Sequence, residues 1–141
     1  MRRLVFWLIT LAVILGAYFT APRSANPVVD EYASVAPPAR LDSPETVAAG
    51  HAIFPADCMP CHGVAGNGQR VANPAVGLKP VDFTDGARKQ SLSPQHLFWR
   101  ASEGGRSEPY RAQGSTMPAW RYPLTEAQRW QVIAYIRALA R

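Results

Sequence analysis

The sequence contains little cysteine, few charged residues and no dense cluster of basic residues. Two cysteines among 141 residues exclude a scaffold held by several disulfide bonds and a zinc site built from four thiolates. Charged residues make up 18% of the chain, too few for a disordered acidic or basic tail protein, and no heptad or collagen period appears. Although the formal net charge is +5, the basic residues are scattered, so we expect no nucleic-acid partner.

Motifs of known catalytic machinery are missing as well. The chain contains no Ser-His-Asp set, no phosphate-binding loop and no defensible pair of catalytic carboxylates. The sequence therefore does not predict an enzyme, although the chain could serve as one subunit of an oxidoreductase complex.

Residues 1–21 are predicted to form a transmembrane anchor. Arg2 and Arg3 precede an uncharged run of 18 residues, 4–21, which is near the lower limit of about 17 residues for a membrane-spanning helix. A signal peptide is the alternative, but its apolar region is usually shorter, about 7–15 residues, and the candidate cleavage sites here are poor. The two arginines favour a cytoplasmic N-terminus, which places the following residues on the periplasmic or extracytoplasmic side.

Residues 22–42 are predicted to form a proline-rich linker. Prolines stand at positions 22, 27, 37 and 38, and the segment shows no helical or strand period, a composition that favours extended polyproline II conformers. Two roles fit it equally well. It could pack along a neighbouring subunit, or it could act as a leash that lets the following domain travel between partners.

Residues 43–141 are predicted to form an all-α domain with three main helices and long loops. The helix starts are marked by Ser43-Pro44, by Ser93-Pro94 and by a capping box of Thr125 with Gln128. No strand pattern is convincing. Three short helices offer little apolar surface for a self-sufficient core, so we expect another group to contribute hydrophobic volume.

The segment Cys58-Met59-Pro60-Cys61-His62 is the signal for covalent attachment of a c-type haem. Two thiols on one helical turn can add to the two vinyl groups of a haem, and the adjacent histidine can bind the iron from the same side. Three alternatives are weaker. A redox-active dithiol requires a βαβ setting, and a zinc ion requires further ligands. A simple surface disulfide between Cys58 and Cys61 does not account for the combination of an export segment, two cysteines in total and a methionine at a suitable distance.

Met117 is predicted to be the second axial ligand of the iron. Met1 lies in the anchor, and Met59 lies within the attachment segment on the wrong side of the ring. Met117 follows His62 by 55 residues, which is enough chain to reach the opposite face. Pro118 stiffens its loop. The alternative is a buried methionine that only fills space, and His51 and His96 are interpreted as surface or hydrogen-bonded histidines.

These motifs resemble the class I cytochromes c, and the resemblance covers residues 43–141. It is closest to the monohaem domains of bacterial respiratory or photosynthetic complexes and rests on four stretches: 62–68, 78–83, 117–120 and 130–137. The resemblance implies the cytochrome c fold around one covalent haem. It also implies that the first and last helices cross through Gly50 and Phe54 against Val132 and Tyr135, and that the Pro74 carbonyl accepts the proton of the His62 ring.

The predicted function is single-electron transfer by a haem with His/Met ligands, either as a membrane-anchored carrier or as a subunit of a larger complex. The predicted partners are the membrane and a redox protein, which could be a quinol-oxidising complex, a terminal oxidase or a photosynthetic reaction centre. Four arginines, 100, 106, 111 and 121, either form a basic rim that attracts an acidic partner or are scattered solvated charges. The alternative function is a haem-based enzyme or gas sensor in which Met117 can be displaced.

Overall fold

The described part of the chain is entirely helical and irregular, with no strand. A computed structural model describes residues 7, 10, 31–69 and 79–139, with the side chains of 88–90 left out. Its helices are α1 (Pro44–Asp57), α2 (Met59–His62), α3 (Gly86–Ser91), α4 (Pro94–Glu103), a 3₁₀ turn (Gly104–Arg106) and α5 (Glu126–Leu139). The three main helices α1, α4 and α5 confirm the predicted all-α class, and the short helices α2 and α3 were not predicted.

The three main helices begin where their capping residues predicted. Ser43 and Ser93, each followed by proline, accept a hydrogen bond from the backbone N–H three residues further on, at 3.3 and 3.1 Å. The Thr125 hydroxyl accepts from the Gln128 N–H at 3.2 Å, and the Gln128 side chain accepts from the Thr125 N–H at 2.9 Å. Each start therefore satisfies N–H groups that the first turn of a helix leaves without an intrahelical partner.

Helices α1 and α5 pack directly on each other at a glycine. A Cβ at position 50 would overlap the carbonyl oxygen of Gln131 and lie 2.9 Å from the Cβ of Tyr135. One turn further on, the rings of Phe54 and Tyr135 meet edge to face with centroids 5.1 Å apart. The pairing of Gly50 and Phe54 with the last helix is thus confirmed, and Val132 is buried.

The hydrophobic core extends N-terminal of the boundary predicted at residue 43. Tyr32 and Leu41, both in the predicted linker, are only 8% and 6% exposed and join the core formed by Phe98, Trp99, Trp130, Ile133 and Ala134. The Tyr32 hydroxyl donates to the carboxylate of Glu103 at 2.7 Å. Residues 31–42 therefore pack on the same core as the helical domain. Composition alone did not reveal this because only three apolar side chains of the segment, Tyr32, Val35 and Leu41, make the contact.

The predicted anchor at 1–21 lies, except for positions 7 and 10, outside the described residues. Among the helices that the structure does describe, none combines the length and apolar composition that a membrane crossing requires.

Replacing Gly50 by alanine is predicted to destabilise the domain strongly. The added methyl group would collide with the backbone of α5, which cannot move aside as a flexible side chain can, and overpacking of this kind costs about 3 kcal/mol. The measurement is the free energy of unfolding in denaturant. Gly86→Ala is the control, since a Cβ there meets nothing within 4 Å. Equal stability of the two variants would contradict the packing described.

Candidate functional site

The two cysteines and His62 lie on one short turn that continues from α1. The Cys58 N–H donates to the Phe54 carbonyl at 2.9 Å, and the His62 N–H donates to the Cys58 carbonyl at 2.9 Å. Both cysteines are free thiols, with Cys58 half-buried and Cys61 exposed. Because α1 is held against α5 at Gly50, its C-terminal end fixes the position of this turn.

The protonation of Cys58 argues against a redox-active dithiol. Burial, followed by the nearby Asp57 and Cys61, raises the pKa of the Cys58 thiol to about 12. Reactive cysteines of dithiol enzymes instead have lowered pKa values that favour the thiolate. Nor do the described residues contain a group of three or more His, Cys, Asp or Glu side chains that could hold a metal ion, as the zinc alternative requires.

The ring of His62 is held in place by the loop that follows it. The ring of Phe83 stacks on the imidazole with centroids 4.6 Å apart and planes 20° from parallel. The Phe83 N–H donates to the Gly66 carbonyl at 2.8 Å, and the Gly68 N–H donates to the His62 carbonyl at 2.9 Å. Phe83 thus orients His62, a role that the sequence did not indicate because the two residues are 21 positions apart.

The loop that carries Met117 is bound to the C-terminal end of α4. The Gly105 N–H donates to the Met117 carbonyl at 2.8 Å, and the Trp120 N–H donates to the Ala101 carbonyl at 3.0 Å. The loop lies so close that a Cβ at position 105 would overlap the Ser115 carbonyl oxygen, and one at position 104 would overlap that of Pro118. The two glycines that end α4 therefore also provide the space for this loop.

Both sets of residues line a single cavity of about 880 Å³. Cys58, Cys61 and His62 contribute to its wall, as do Met117 and Pro118. Much of the remaining wall is apolar, with Phe83, Leu92, Leu97, Trp120, Leu124, Val132 and Ile136. This volume lies in the range of about 300–1,000 Å³ that is usual for ligand sites. Two thiols, an imidazole and a thioether around an apolar space fit a flat apolar macrocycle that carries a metal.

The other residues considered as ligands lie in different places. Pro74 is outside the described residues. His51 packs its ring on Tyr135 with centroids 5.1 Å apart and does not line the cavity. His96 does line it, which its place in the sequence did not indicate. Burial, and then the charge of Arg100, lower the pKa of His96, so the imidazole is neutral at neutral pH.

The four arginines near Met117 do not form a continuous basic rim. Arg111 pairs with Glu108 at 2.7 Å and Arg121 pairs with Glu103 at 2.6 Å. Arg106 is exposed, with its guanidinium 6.0 Å from the centre of the Tyr122 ring. Arg100 is half-buried and lines the cavity. The structure therefore favours the interpretation of the four arginines as separate charges, two of them paired with acidic side chains, over the interpretation as a basic rim.

Comparison with known proteins gives one family and one fold. The family model described as cytochrome c matches residues 47–140. A chain of the reducing HAO-like protein complex of Kuenenia stuttgartiensis has a similar structure, with a TM-score of 0.55 and 24% sequence identity. The alignment covers 89% of the present chain and 54% of the other, so the present chain corresponds to about half of its length. No curated protein matches the chain.

Replacing Gly105 by alanine is predicted to release the Met117 loop. The new methyl group would overlap the Ser115 carbonyl and weaken the hydrogen bond from residue 105 to the Met117 carbonyl. We expect the amides of residues 105 and 120 to exchange with solvent at least about tenfold faster, which corresponds to a loss of about 1.4 kcal/mol in local stability. Hydrogen exchange followed by NMR measures this. Gly86→Ala should leave both amides protected, and unchanged protection in Gly105→Ala would contradict the loop contact.

Proposed function

This chain belongs to the cytochrome c family, and on that premise we propose that it transfers single electrons through a haem iron ligated by His62 and Met117. The observation that carries the proposal is the meeting of two distant segments in one cavity. The attachment turn reaches it from the end of α1, and the Met117 loop reaches it from the end of α4.

The family binds its haem c covalently, and the chain supplies suitable residues for the attachment. We assign the two thioether bonds to Cys58 and Cys61, each formed when a thiol adds across a vinyl group of the haem. No other cysteines are present in the sequence. The neighbouring His62, oriented by its stacking on Phe83, is assigned as the ligand on the side of the attachment turn.

The second axial position is assigned to Met117. The haem supplies an iron that changes oxidation state by one electron. A thioether paired with an imidazole favours the reduced iron and raises its potential. If His62 and Met117 both hold the iron, no coordination position would be left for oxygen or peroxide. The chain's own residues would then hold the iron, exclude water and tune its potential, as an electron carrier of class I requires.

The N-terminal segment supports a membrane-bound carrier or subunit. The uncharged run at 4–21 after Arg2 and Arg3 would hold the haem domain at the periplasmic or extracytoplasmic surface. Its redox partner would be a quinol-oxidising complex, a terminal oxidase or a photosynthetic reaction centre. The Kuenenia stuttgartiensis chain of similar fold belongs to a protein complex, which is consistent with a role as a subunit.

Absorption spectra of the membrane-expressed protein test the axial ligands. The oxidised parent should show the sulfur-to-iron charge-transfer band, and its reduced haem should ignore carbon monoxide and stay attached in denaturant. Met117→Ala should lose the band completely and bind carbon monoxide, because it opens one axial position. Met59→Ala is the matched control and should behave as the parent, since Met59 does not line the cavity.

Three results would contradict the proposal in different ways. A parent haem that binds carbon monoxide readily would favour the gas sensor or haem enzyme. A band that survives in Met117→Ala would assign the axial position to another residue. A colourless protein would remove the assignment of Cys58, Cys61 and His62 altogether.

A further inference from the structure

The side chain of Tyr32 joins the N-terminal segment to the loop that carries Met117. Its hydroxyl donates to Oε1 of Glu103 at 2.7 Å, and Nη1 of Arg121 donates to the same oxygen at 2.6 Å. Glu103 is the last residue of α4, and Arg121 follows Met117 by four positions. One carboxylate oxygen therefore links three separate segments of the chain.

The contact between Tyr32 and Glu103 is sheltered from water. Both residues are buried, and the ring of Tyr32 packs against Phe98 with centroids 5.8 Å apart. Burial, and then the bond to Glu103, raise the pKa of the Tyr32 hydroxyl, so it keeps its proton at neutral pH and stays a donor. A buried hydrogen bond to a carboxylate is stronger than an exposed one, because water competes less for either group.

Arg121 belongs to the stretch that fastens the Met117 loop to the end of α4. The backbone N–H groups of Trp120 and Arg121 donate to carbonyls in the last turn of that helix, at 3.0 and 3.3 Å. The ion pair of Arg121 with Glu103 adds a side-chain contact at the same place. The carboxylate of Glu103 thus holds this end of the loop, and Tyr32 holds the carboxylate from the other side.

We propose that Tyr32 is a positioning residue for Met117, acting through Glu103 and Arg121 on the end of the Met117 loop. The consequence at the iron rests on the proposed function, in which the sulfur of Met117 must stay at its axial position. The N-terminal segment is then part of the structure that holds the ligand. Loss of the Tyr32 hydroxyl raises the fraction of molecules in which the loop is open.

Binding of free imidazole to the oxidised full-length protein measures how readily Met117 leaves the iron. Imidazole can take the axial position only when the loop is open, so its apparent affinity rises in proportion to the open fraction. Tyr32→Phe keeps the ring against Phe98 and removes only the hydroxyl. We expect the apparent Kd for imidazole to fall about tenfold, as the loss of a hydrogen bond to a charged acceptor implies. An unchanged Kd would overturn the proposal.

Tyr122→Phe is the matched control. The Tyr122 hydroxyl also contacts Arg121, accepting from Nη2 at 3.0 Å, but Tyr122 is 66% exposed, so water can replace the lost group. This variant should bind imidazole as the parent does. A gain in affinity equal to that of Tyr32→Phe would mean that the buried contact with Glu103 is not what matters, and would overturn the proposal.

Combining Tyr32→Phe with Arg121→Leu tests the route by which Tyr32 acts. If Tyr32 acts through Arg121, the two effects are not additive, and the double variant should bind imidazole about as tightly as Arg121→Leu alone. Fully additive effects would contradict this route and overturn the proposal. Global destabilisation cannot imitate the expected result, because it leaves imidazole binding by the native state unchanged.

Hydrogen exchange distinguishes failure of this proposal from failure of the proposed function. In Tyr32→Phe the amides of residues 120 and 121 should exchange about tenfold faster than in the parent, through local opening, and the Cys58 amide should keep its rate. Faster exchange in a protein without the sulfur-to-iron band would support the loop contact and reject Met117 as a ligand. A protein with the band and unchanged exchange would keep the function and overturn the role of Tyr32.

The parent itself provides the test if Tyr32→Phe does not fold. The Val35 N–H donates to the Tyr32 carbonyl at 3.1 Å, so its exchange reports how firmly the N-terminal segment is docked. We expect this amide to exchange at least about a hundredfold slower than an unstructured one. An unprotected Val35 amide would mean that the segment is too loosely docked to hold Glu103, and would overturn the proposal.

Discussion

The contact between the backbones of α1 and α5 at Gly50 is the constraint on which the rest of the structure depends. A side chain at this position would overlap the Gln131 carbonyl, so the helices can approach as closely as they do only because none is present. The contact matters for function because α1 leads directly into the attachment turn. Cys58 is hydrogen-bonded to the last turn of α1, so the place of both thiols and of His62 is set by where α1 lies on α5.

The same helix α5 also supports the helix that holds the Met117 loop. The ring of Trp130 on α5 stacks on Phe98 of α4, with centroids 4.2 Å apart and planes 16° from parallel. The Met117 loop is bound by the Ala101 carbonyl of α4 and by the Gly105 N–H of the 3₁₀ turn that follows α4. The attachment turn and the Met117 loop are thus held by separate helices that share one support. If His62 and Met117 hold the haem as proposed, they would need such a common support, because a small displacement of either would change its distance to the iron.

Local signals in the sequence predicted much of this arrangement, and long-range contacts account for what they missed. The helix starts could be predicted because their capping hydrogen bonds join residues three positions apart, at Ser43, at Ser93 and in the Thr125–Gln128 box. Such short-range pairs are visible in the local sequence. The prediction of a linker at 22–42 was based on proline content. Proline content carries no information about long-range contacts such as the hydrogen bond of Tyr32 to Glu103, 71 positions away. The cavity-facing positions of His96 and Arg100 depend on how α4 rotates on α5, and the stacking of Phe83 depends on a loop closing back on His62. Spacing alone specifies neither.

The distribution of charge bears on how such a domain meets a partner. Although the chain has a net charge of +5, Arg111 and Arg121 are neutralised by acidic neighbours and Arg100 lies in the cavity wall. Of the four arginines near Met117, Arg106 alone is both exposed and outside the ion pairs of the described residues, so long-range steering by this group would be weak, and exposed pairs are screened by salt. Redox encounters have small interfaces and release quickly. With weak steering and a small interface, a membrane anchor would contribute most by raising the local concentration of the domain at its partner. Because Tyr32 and Leu41 pack on the core, residues 31–42 belong to the folded domain and would not act as a leash.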